Sequence, residues 1–339
     1  MAHIVNKNNV YKSNRPLVLA ATQSVVGLHS FHPTASSHSH TTSPSIPIPL
    51  TLYQDQIPIP LQNQDIRGMK FKKIGEGCSA QVFKTSWKGS PAALKVCLPQ
   101  QACISRGLVD GLRSTEEEFF ESIGQHEHIP KFYKNLMVRI RGEVRRAFLM
   151  EYFDRSIRSH RGLHPSVATK MLVQISKALD FMHSRRWLHN DVKPDNILCQ
   201  TGRFVLADFG TVTRTDTSGL SANSIFSTVG YKAPERFRNR SVGPAADMFA
   251  LGVTFMNCIS WHSGHGPFWE HPLFGGRVPH ARATVDTYLY AHVRDCDVHR
   301  VIDSFRLHPK VSAVAKSLLR LDPSARLRAN QVIRALAEF

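Results

Sequence analysis

Eight consecutive residues, His189-Asn190-Asp191-Val192-Lys193-Pro194-Asp195-Asn196, gather a carboxylate, an ammonium and a carboxamide in one loop. Phosphoryl transfer needs these three types together. A carboxylate orients the attacking hydroxyl, a cation offsets charge developing on the transferred phosphoryl oxygens, and an amide oxygen binds Mg²⁺. Twelve residues past Asn196 comes Asp208-Phe209-Gly210, directly after the apolar run Phe204–Ala207. A second carboxylate at the end of a strand suits a Mg²⁺ ion that bridges phosphate oxygens.

The elements that must hold these loops follow from hydrophobic periodicity. Met69–Ile74, Ala80–Thr85 and Ala92–Leu98 read as short strands separated by Gly-containing turns. Ser114 is placed to cap a helix running through Ile123. Leu136–Ile140 and Ala147–Phe153 flank Arg141-Gly142-Glu143 as a hairpin. Beyond that the pattern turns helical: Val167, Met171, Ile175, Leu179 and Met182 recur at helical spacing after the start signal Pro165-Ser166. Ala245–Ile259 is apolar on nearly every face and predicts a buried helix. A strand-rich segment followed by a helix-rich one predicts an α+β molecule of two lobes, with a ligand cleft between them.

Composition narrows the setting. The 43 Lys and Arg against 26 Asp and Glu leave a formal charge of +17, which favours an anionic partner: nucleic acid, acidic protein or ATP. The arginines are scattered as Arg139, Arg141, Arg145 and Arg146, then Arg155, Arg158 and Arg161, then Arg236, Arg238 and Arg240, and read as solvated faces. No apolar run approaches the roughly 18 residues of a membrane span. The six cysteines form no C-x-x-C pair and no secretory leader is present, which predicts reduced thiols in an intracellular (cytoplasmic or nuclear) protein. The histidines lack zinc-binding spacing. Residues 1–66 are rich in Ser, Thr, His and Pro, including Ile46-Pro47-Ile48-Pro49 and Ile57-Pro58-Ile59-Pro60, and predict a disordered or extended tail. No acid precedes Asp55, as in organelle transit peptides, but one Arg among the first 30 residues favours a plain tail.

The two loops together resemble the catalytic and metal loops of the eukaryotic-type protein kinase superfamily, and further motifs follow in its order from about Met69 to Phe339. The resemblance implies the bilobal kinase fold: a small β-rich N-lobe with one main helix (about 67–151) and a larger helical C-lobe (about 152–339). It also implies ATP and Mg²⁺ as cofactors and protein substrates as partners. Asp191, Lys193, Asn196 and Thr228 would be catalytic, with Asn196 and Asp208 holding the metal. Ile74, Gly75, Gly77, Val82 and Ala93 would surround the nucleotide, and Lys95 would anchor its phosphates through a Glu on the next helix. Of Glu116, Glu117 and Glu118, Glu116 is chosen because Phe119, Phe120 and Ile123 then fall at i+3, i+4 and i+7, with Glu117 second. Met150, Glu151 and Phe153 match the hinge, whose backbone would bind the adenine edge so that the side chains matter little; Leu198 would floor the pocket. Thr228 and Lys193 match the serine/threonine class. Glu235 would pair with Arg326, and Asp247 would accept backbone N–H groups of the catalytic loop.

One departure stands out. The family's usual Arg before the catalytic Asp is Asn190 here, a non-RD pattern, so a phosphate on Thr211–Ser227 has no obvious receptor. A pseudokinase scaffold is the alternative function, disfavoured because Lys95, Asp191, Asn196 and Asp208 are all present. Nucleic-acid binding through the basic surface and small-molecule phosphorylation remain further readings. For substrate choice, Asp195 favours a basic residue upstream of the acceptor and the Arg surplus an acidic one; the sequence leaves this open, with oligomeric state. Trp261–Ala283, rich in Gly, His and Pro, matches no motif and reads as a loop near the substrate face.

Overall fold

Segments that alternate inward and outward side chains between residues 72 and 151 pair as one antiparallel sheet. The computed structural model describes residues 59–60, 69–77, 80–98, 115–140, 142–160, 162–222, 228–238, 241–274 and 291–339. Expectations that fall elsewhere lie outside the described residues: nearly all of the tail, Cys78, Cys103, the cap at Ser114, and residues 275–283 of the unmatched loop. The strands are β1 (Ile59–Pro60), β2 (Lys72–Glu76), β3 (Ala80–Trp87), β4 (Ser90–Cys97), β5 (Phe132–Ile140) and β6 (Glu143–Glu151). Their spatial order is β1-β5-β6-β4-β3-β2. Lys88 and Gly89, both at positive φ (48° and 80°), make the two-residue turn from β3 to β4, the geometry that matches strand twist. Phe83, Leu94, Val96, Leu136, Val138, Ile140 and Leu149 form a core on one face of the sheet. β1 falls within the segment expected to be an extended tail. It pairs with β5 at the sheet edge, Ile59 opposite Arg139 and Pro60 opposite Val138. An edge is where a strand tolerates the missing proline N–H.

Helix α1 (Thr115–Ile123) turns Phe119, Phe120 and Ile123 into a second, larger core that continues through the helical lobe. That lobe contains β7 (Arg155–Ser156), α2 (Pro165–Ser184), β8 (Trp187–Leu188), β9 (Ile197–Gln200), β10 (Arg203–Leu206), β11 (Thr213–Arg214), β12 (Ser221–Ala222), α3 (Glu235–Arg238), β13 (Ser241–Val242), α4 (Ala245–His262), α5 (Asp295–Ser304), α6 (Pro309–Leu318) and α7 (Ala329–Ala335). The small sheets position the site: β9 pairs with β7 and β10, and β8 pairs with β11. The loop carrying Asp191 therefore runs from β8 to β9, and the loop carrying Asp208 leaves β10. Both are anchored on α2, whose Ala168, Met171, Leu172, Ile175, Ala178, Leu179 and Met182 are buried. Pro165 occupies the first turn of α2, where its missing N–H costs nothing.

Helix α4 is buried from Ala246 to Ser260. It approaches α6 closely at Gly252, where an added Cβ would lie 2.9 Å from the Cβ of Leu318. Among the described residues no helix is long and apolar enough to cross a membrane.

Candidate active site

Lys95 lies in the middle of β4, opposite Val82 on β3 and Phe148 on β6. Its ammonium is 2.6 Å from Glu116 Oε1 and 2.8 Å from Asp208 Oδ1. One buried cation thus joins the sheet, helix α1 and the Asp-Phe-Gly loop. Burial opposes the charge on Lys95, but the Asp208 and Glu116 carboxylates outweigh it and raise the pKa. Burial likewise pushes the Asp208 carboxyl up, and Lys95 more than reverses this, holding it at about 2. The Asp208 side chain is still 34% exposed, so solvent screens part of the attraction. The acidic triplet resolves into three separate partnerships. Glu116 takes Lys95, Glu117 accepts from Asn135 Nδ2 at 3.0 Å and pairs with Arg146, and Glu118 meets Arg214 on β11 at 2.8 Å.

Asp191 is held on both carboxylate oxygens. Oδ1 accepts from the Thr228 hydroxyl at 2.7 Å and the Thr228 N–H at 3.2 Å. Oδ2 lies 2.7 Å from Lys193 Nζ and accepts from Asn196 Nδ2 at 3.0 Å. Lys193 Nζ also donates to Thr228 Oγ1 at 2.7 Å, so Lys193, Thr228 and Asp191 form a closed polar triangle. Asn196 spends its amide N–H groups on Asp191, with a second bond of 2.8 Å to the backbone carbonyl. Its Oδ1, in a residue only 1% exposed, has no hydrogen-bond partner among the described residues. A buried amide oxygen left without a donor is costly unless something else uses it. A hard cation is the fitting occupant, and the carboxylate of Asp208 supplies the other oxygen type such an ion takes.

These loops are aligned by a column of rings crossing both lobes. Phe120 stacks on Phe132 (4.6 Å between centroids), Phe209 lies edge-on to Phe120 (5.3 Å) and stacks on Phe119 (4.4 Å), and His189 meets Phe209 edge-on (5.4 Å). His189 Nδ1 accepts the Asp191 N–H at 3.3 Å, which makes Nε2 the protonated nitrogen that donates to Ala207 O at 3.0 Å. The column ends on Asp247 of α4, which is 1% exposed. Asp247 accepts N–H groups of His189 and Asn190, each at 2.8 Å, and the ring N–H of His183 at 3.0 Å. The two backbone donors are those anticipated for this lone acid; His183 is an addition. Asp208 and Asn190 both adopt positive φ (63° and 68°), a conformation that the surrounding bonds must hold.

The residues expected around the nucleotide occupy neighbouring strands. Gly75 on β2 faces Val82, and Ala93 faces Met150 in the same row pattern as Lys95 and Phe148. Ile74 precedes Gly75 on β2, and Gly77 closes the intervening turn with an N–H bond to Ala80 O at 2.8 Å. Leu198 lies half-buried on β9, two residues past Asn196. Phe153 is buried just beyond β6. Glu151 corrects the expectation that hinge side chains matter little. Its carboxylate grips Arg203 of β10 through two bonds of 2.6 and 3.1 Å and accepts the Lys131 N–H at 3.1 Å. Its own N–H goes to Lys131 O at 2.8 Å.

Two further interactions fix the segment that follows Asp208. Asn190 Nδ2 donates to Thr211 O and to Thr213 Oγ1, both at 2.9 Å, and Asn190 Oδ1 accepts from Arg236 at 2.5 Å. Arg236 is buried, which corrects its reading as part of a solvated basic face. Only the Asn at position 190 signalled this network in the sequence; the Arg236 end carried no signal. Nearby, Arg326 donates all five N–H groups: two to Glu235 (2.6 and 2.8 Å) and three to the carbonyls of Arg320, Ala245 and Leu321. Trp261 and His262 of the unmatched stretch belong to helix α4 rather than to a loop, and in the described residues that follow, through Phe274, Trp269 Nε1 donates to Gly230 O at 2.8 Å.

A β-rich lobe over a helical lobe, with acid, cation and amide groups converging between them, is the architecture of a phosphotransferase cleft. The protein kinase domain family matches residues 69–336, and the chain belongs to that family. Among curated proteins it is 24% identical to mitogen-activated protein kinase kinase 2 of Arabidopsis thaliana, over 77% of this chain and 69% of that one. It is 37% identical to the serine/threonine-protein kinase PknF of Mycobacterium tuberculosis, over 35% of this chain and 29% of that one. With the calcium/calmodulin-dependent protein kinase cmkA of Emericella nidulans it shares 29% identity over 54% and 42% of the respective chains. The chain thus spans less than half the length of the latter two relatives.

Proposed function

We propose that this protein kinase transfers the γ-phosphoryl group of ATP to serine or threonine hydroxyls of protein substrates. The observation that carries the reading is the closed triangle of Asp191, Lys193 and Thr228 beside the partnerless amide oxygen of Asn196. Asp191 orients the acceptor hydroxyl and takes its proton as the oxygen attacks phosphorus and the bond to the β-phosphate oxygen breaks. Lys193, fixed by Thr228, stands next to that carboxylate and offsets charge on the transferred group. Lys95, held by Glu116, anchors the nucleotide phosphates. Asn196 Oδ1 and Asp208 would hold Mg²⁺, which when bound neutralises phosphate charge. Glycines 75 and 77, Ile74, Val82, Ala93, Met150 and Leu198 would enclose the base, with the backbone of Glu151 and Phe153 at its edge. Serine/threonine selectivity is supported by Thr228 filling the space beside Asp191 and by the names of the relatives.

The test is transfer of label from γ-labelled ATP to casein or histone with Mg²⁺, followed by phosphoamino-acid analysis. Phosphoserine or phosphothreonine should form with the wild type and vanish with Asp191→Ala or Lys95→Met at unchanged fold. Label on tyrosine, or equal transfer by either variant, contradicts the proposal. A pseudokinase would bind nucleotide with no transfer at all.

A further inference from the structure

Asp195 is the acid of the catalytic loop that touches neither Lys193 nor Asn196 through its side chain. It lies on the one-turn helix Pro194–Asn196, and its Oδ2 accepts from Arg158 Nη1 at 3.2 Å. The pair is lopsided. The Asp195 side chain is 10% exposed and the Arg158 side chain 64% exposed, so the anion is hidden and the cation is presented to solvent. Only one guanidinium nitrogen is engaged, leaving the other donors of the planar fork open among the described residues.

The place of this cation matters as much as its exposure. Asn196, the residue after Asp195, bonds Asp191, and Thr228, three residues before Tyr231, bonds Asp191 from the other side. Tyr231 senses both members of the pair. Burial and then the Asp195 carboxylate push its phenol up, and Arg158 acts in the opposite direction. Through its bond to Asp195, Arg158 stands beside the Pro194–Asn196 turn, which forms one wall next to the carboxylate that receives the acceptor hydroxyl. Asp154, the exposed acid four residues before Arg158, is paired with Arg155 at 3.3 Å. A basic peptide side chain arriving at this wall meets a like charge and finds Asp195 occupied and covered. An acidic one meets a guanidinium whose base is already fixed, so less conformational freedom is lost on binding.

We propose that Arg158, anchored by Asp195, selects protein substrates that carry an anionic side chain, a carboxylate or a phosphorylated hydroxyl, within a few residues of the acceptor Ser or Thr. The assignment rests on the phosphotransfer reading above and names the substrate class of that same site. It also decides between the two opposed tendencies in the sequence: the loop acid does not serve as a receptor for cations, because it serves as a holder for one.

The experiment uses the full chain with Ala-rich peptides containing one Ser, in which Glu, phosphoserine or Arg is scanned through the neighbouring positions. At one or more positions, Glu and phosphoserine peptides should exceed the Ala parent by about tenfold in kcat/KM, and Arg peptides should fall below it. The ratio of Glu to phosphoserine rates distinguishes a plain acidic motif and one that must first be phosphorylated. Arg158→Ala should level the series and Arg158→Glu should invert it toward Arg, with the KM for ATP and the melting temperature as controls. Inversion is a readout that a merely structural Arg158 would not give. A preference for Arg at every position in the wild type, or a Glu preference that survives Arg158→Glu, overturns the assignment while leaving the kinase reading intact. Absence of transfer to every peptide and to bulk casein by the wild type overturns both.

Discussion

Lys193 and Arg326 are both cations in near-complete burial, and their surroundings give them opposite tasks. Lys193 shares its ammonium between Asp191 and Thr228, in the loop proposed to carry out the transfer. Arg326 is saturated by five acceptors and can only hold structure. Removing one member of a buried pair leaves the other uncompensated, which costs about 3–5 kcal/mol. Glu235→Ala should therefore lower unfolding stability by about that amount, read from urea denaturation; a loss under about 1 kcal/mol would contradict the burial argument. Both residues were legible in the sequence because each sits in a short motif of fixed spacing. The choice of Glu116 over Glu117 was legible too, since only one register turns the phenylalanines inward. Arg236 was not, because a buried arginine and a solvated one look alike until the partner, here Asn190, is brought near by folding.

At the scale of elements, the segment after Asp208 is secured by neutral and charged contacts already in place. Thr213 and Arg214 pair with β8, Asn190 holds Thr211 and Thr213, and Glu118 of α1 holds Arg214. None of these requires a phosphate. Treatment with a phosphatase should leave activity within about twofold of the untreated protein, whereas abolished activity would mean that a phosphorylated residue orders this segment after all. The periodic strands and helices were readable to within a few residues, and β5 begins ahead of its apolar pattern because Phe132–Asn135 are only half-buried. The two-residue strands were not readable: β7, β8, β11, β12 and β13 are too short to carry a period and exist because their partners are held nearby. The same reason hid β1, whose alternating prolines signalled extension and nothing about pairing.

Across the whole molecule, the two lobes are joined by Lys95 with its two carboxylates, by the ring column ending on Asp247, and by Glu151 on Arg203. His128 adds a further tie where the loop after α1 meets β10: its Nδ1 bonds Phe204 O at 3.0 Å, and its Nε2, 3.7 Å from Glu127 Oε2, has no hydrogen-bond partner among the described residues. Burial holds the His128 pKa below its ordinary 6.5, and His126 is lowered for the same leading reason. The unfolded chain then binds protons first as pH falls. The stability that neutral His128 contributes is present above about pH 6.5 and is lost as pH drops toward its folded pKa. Urea midpoints should fall between about pH 7 and 5.5, less steeply for His128→Gln; a rise on acidification would contradict this. The two-lobed α+β plan was legible from the order of strand-like and helical patterns. How the lobes close on one another was not, since it depends on side chains more than a hundred residues apart. The central claim, that Lys95, Asp191, Asn196 and Asp208 serve one magnesium-bound nucleotide, is tested most directly by calorimetric titration of ATP with and without Mg²⁺. Magnesium should tighten ATP binding by about tenfold or more in the wild type, and this gain should disappear in Asn196→Ala and Asp208→Asn. A gain that persists undiminished in both variants would contradict the account.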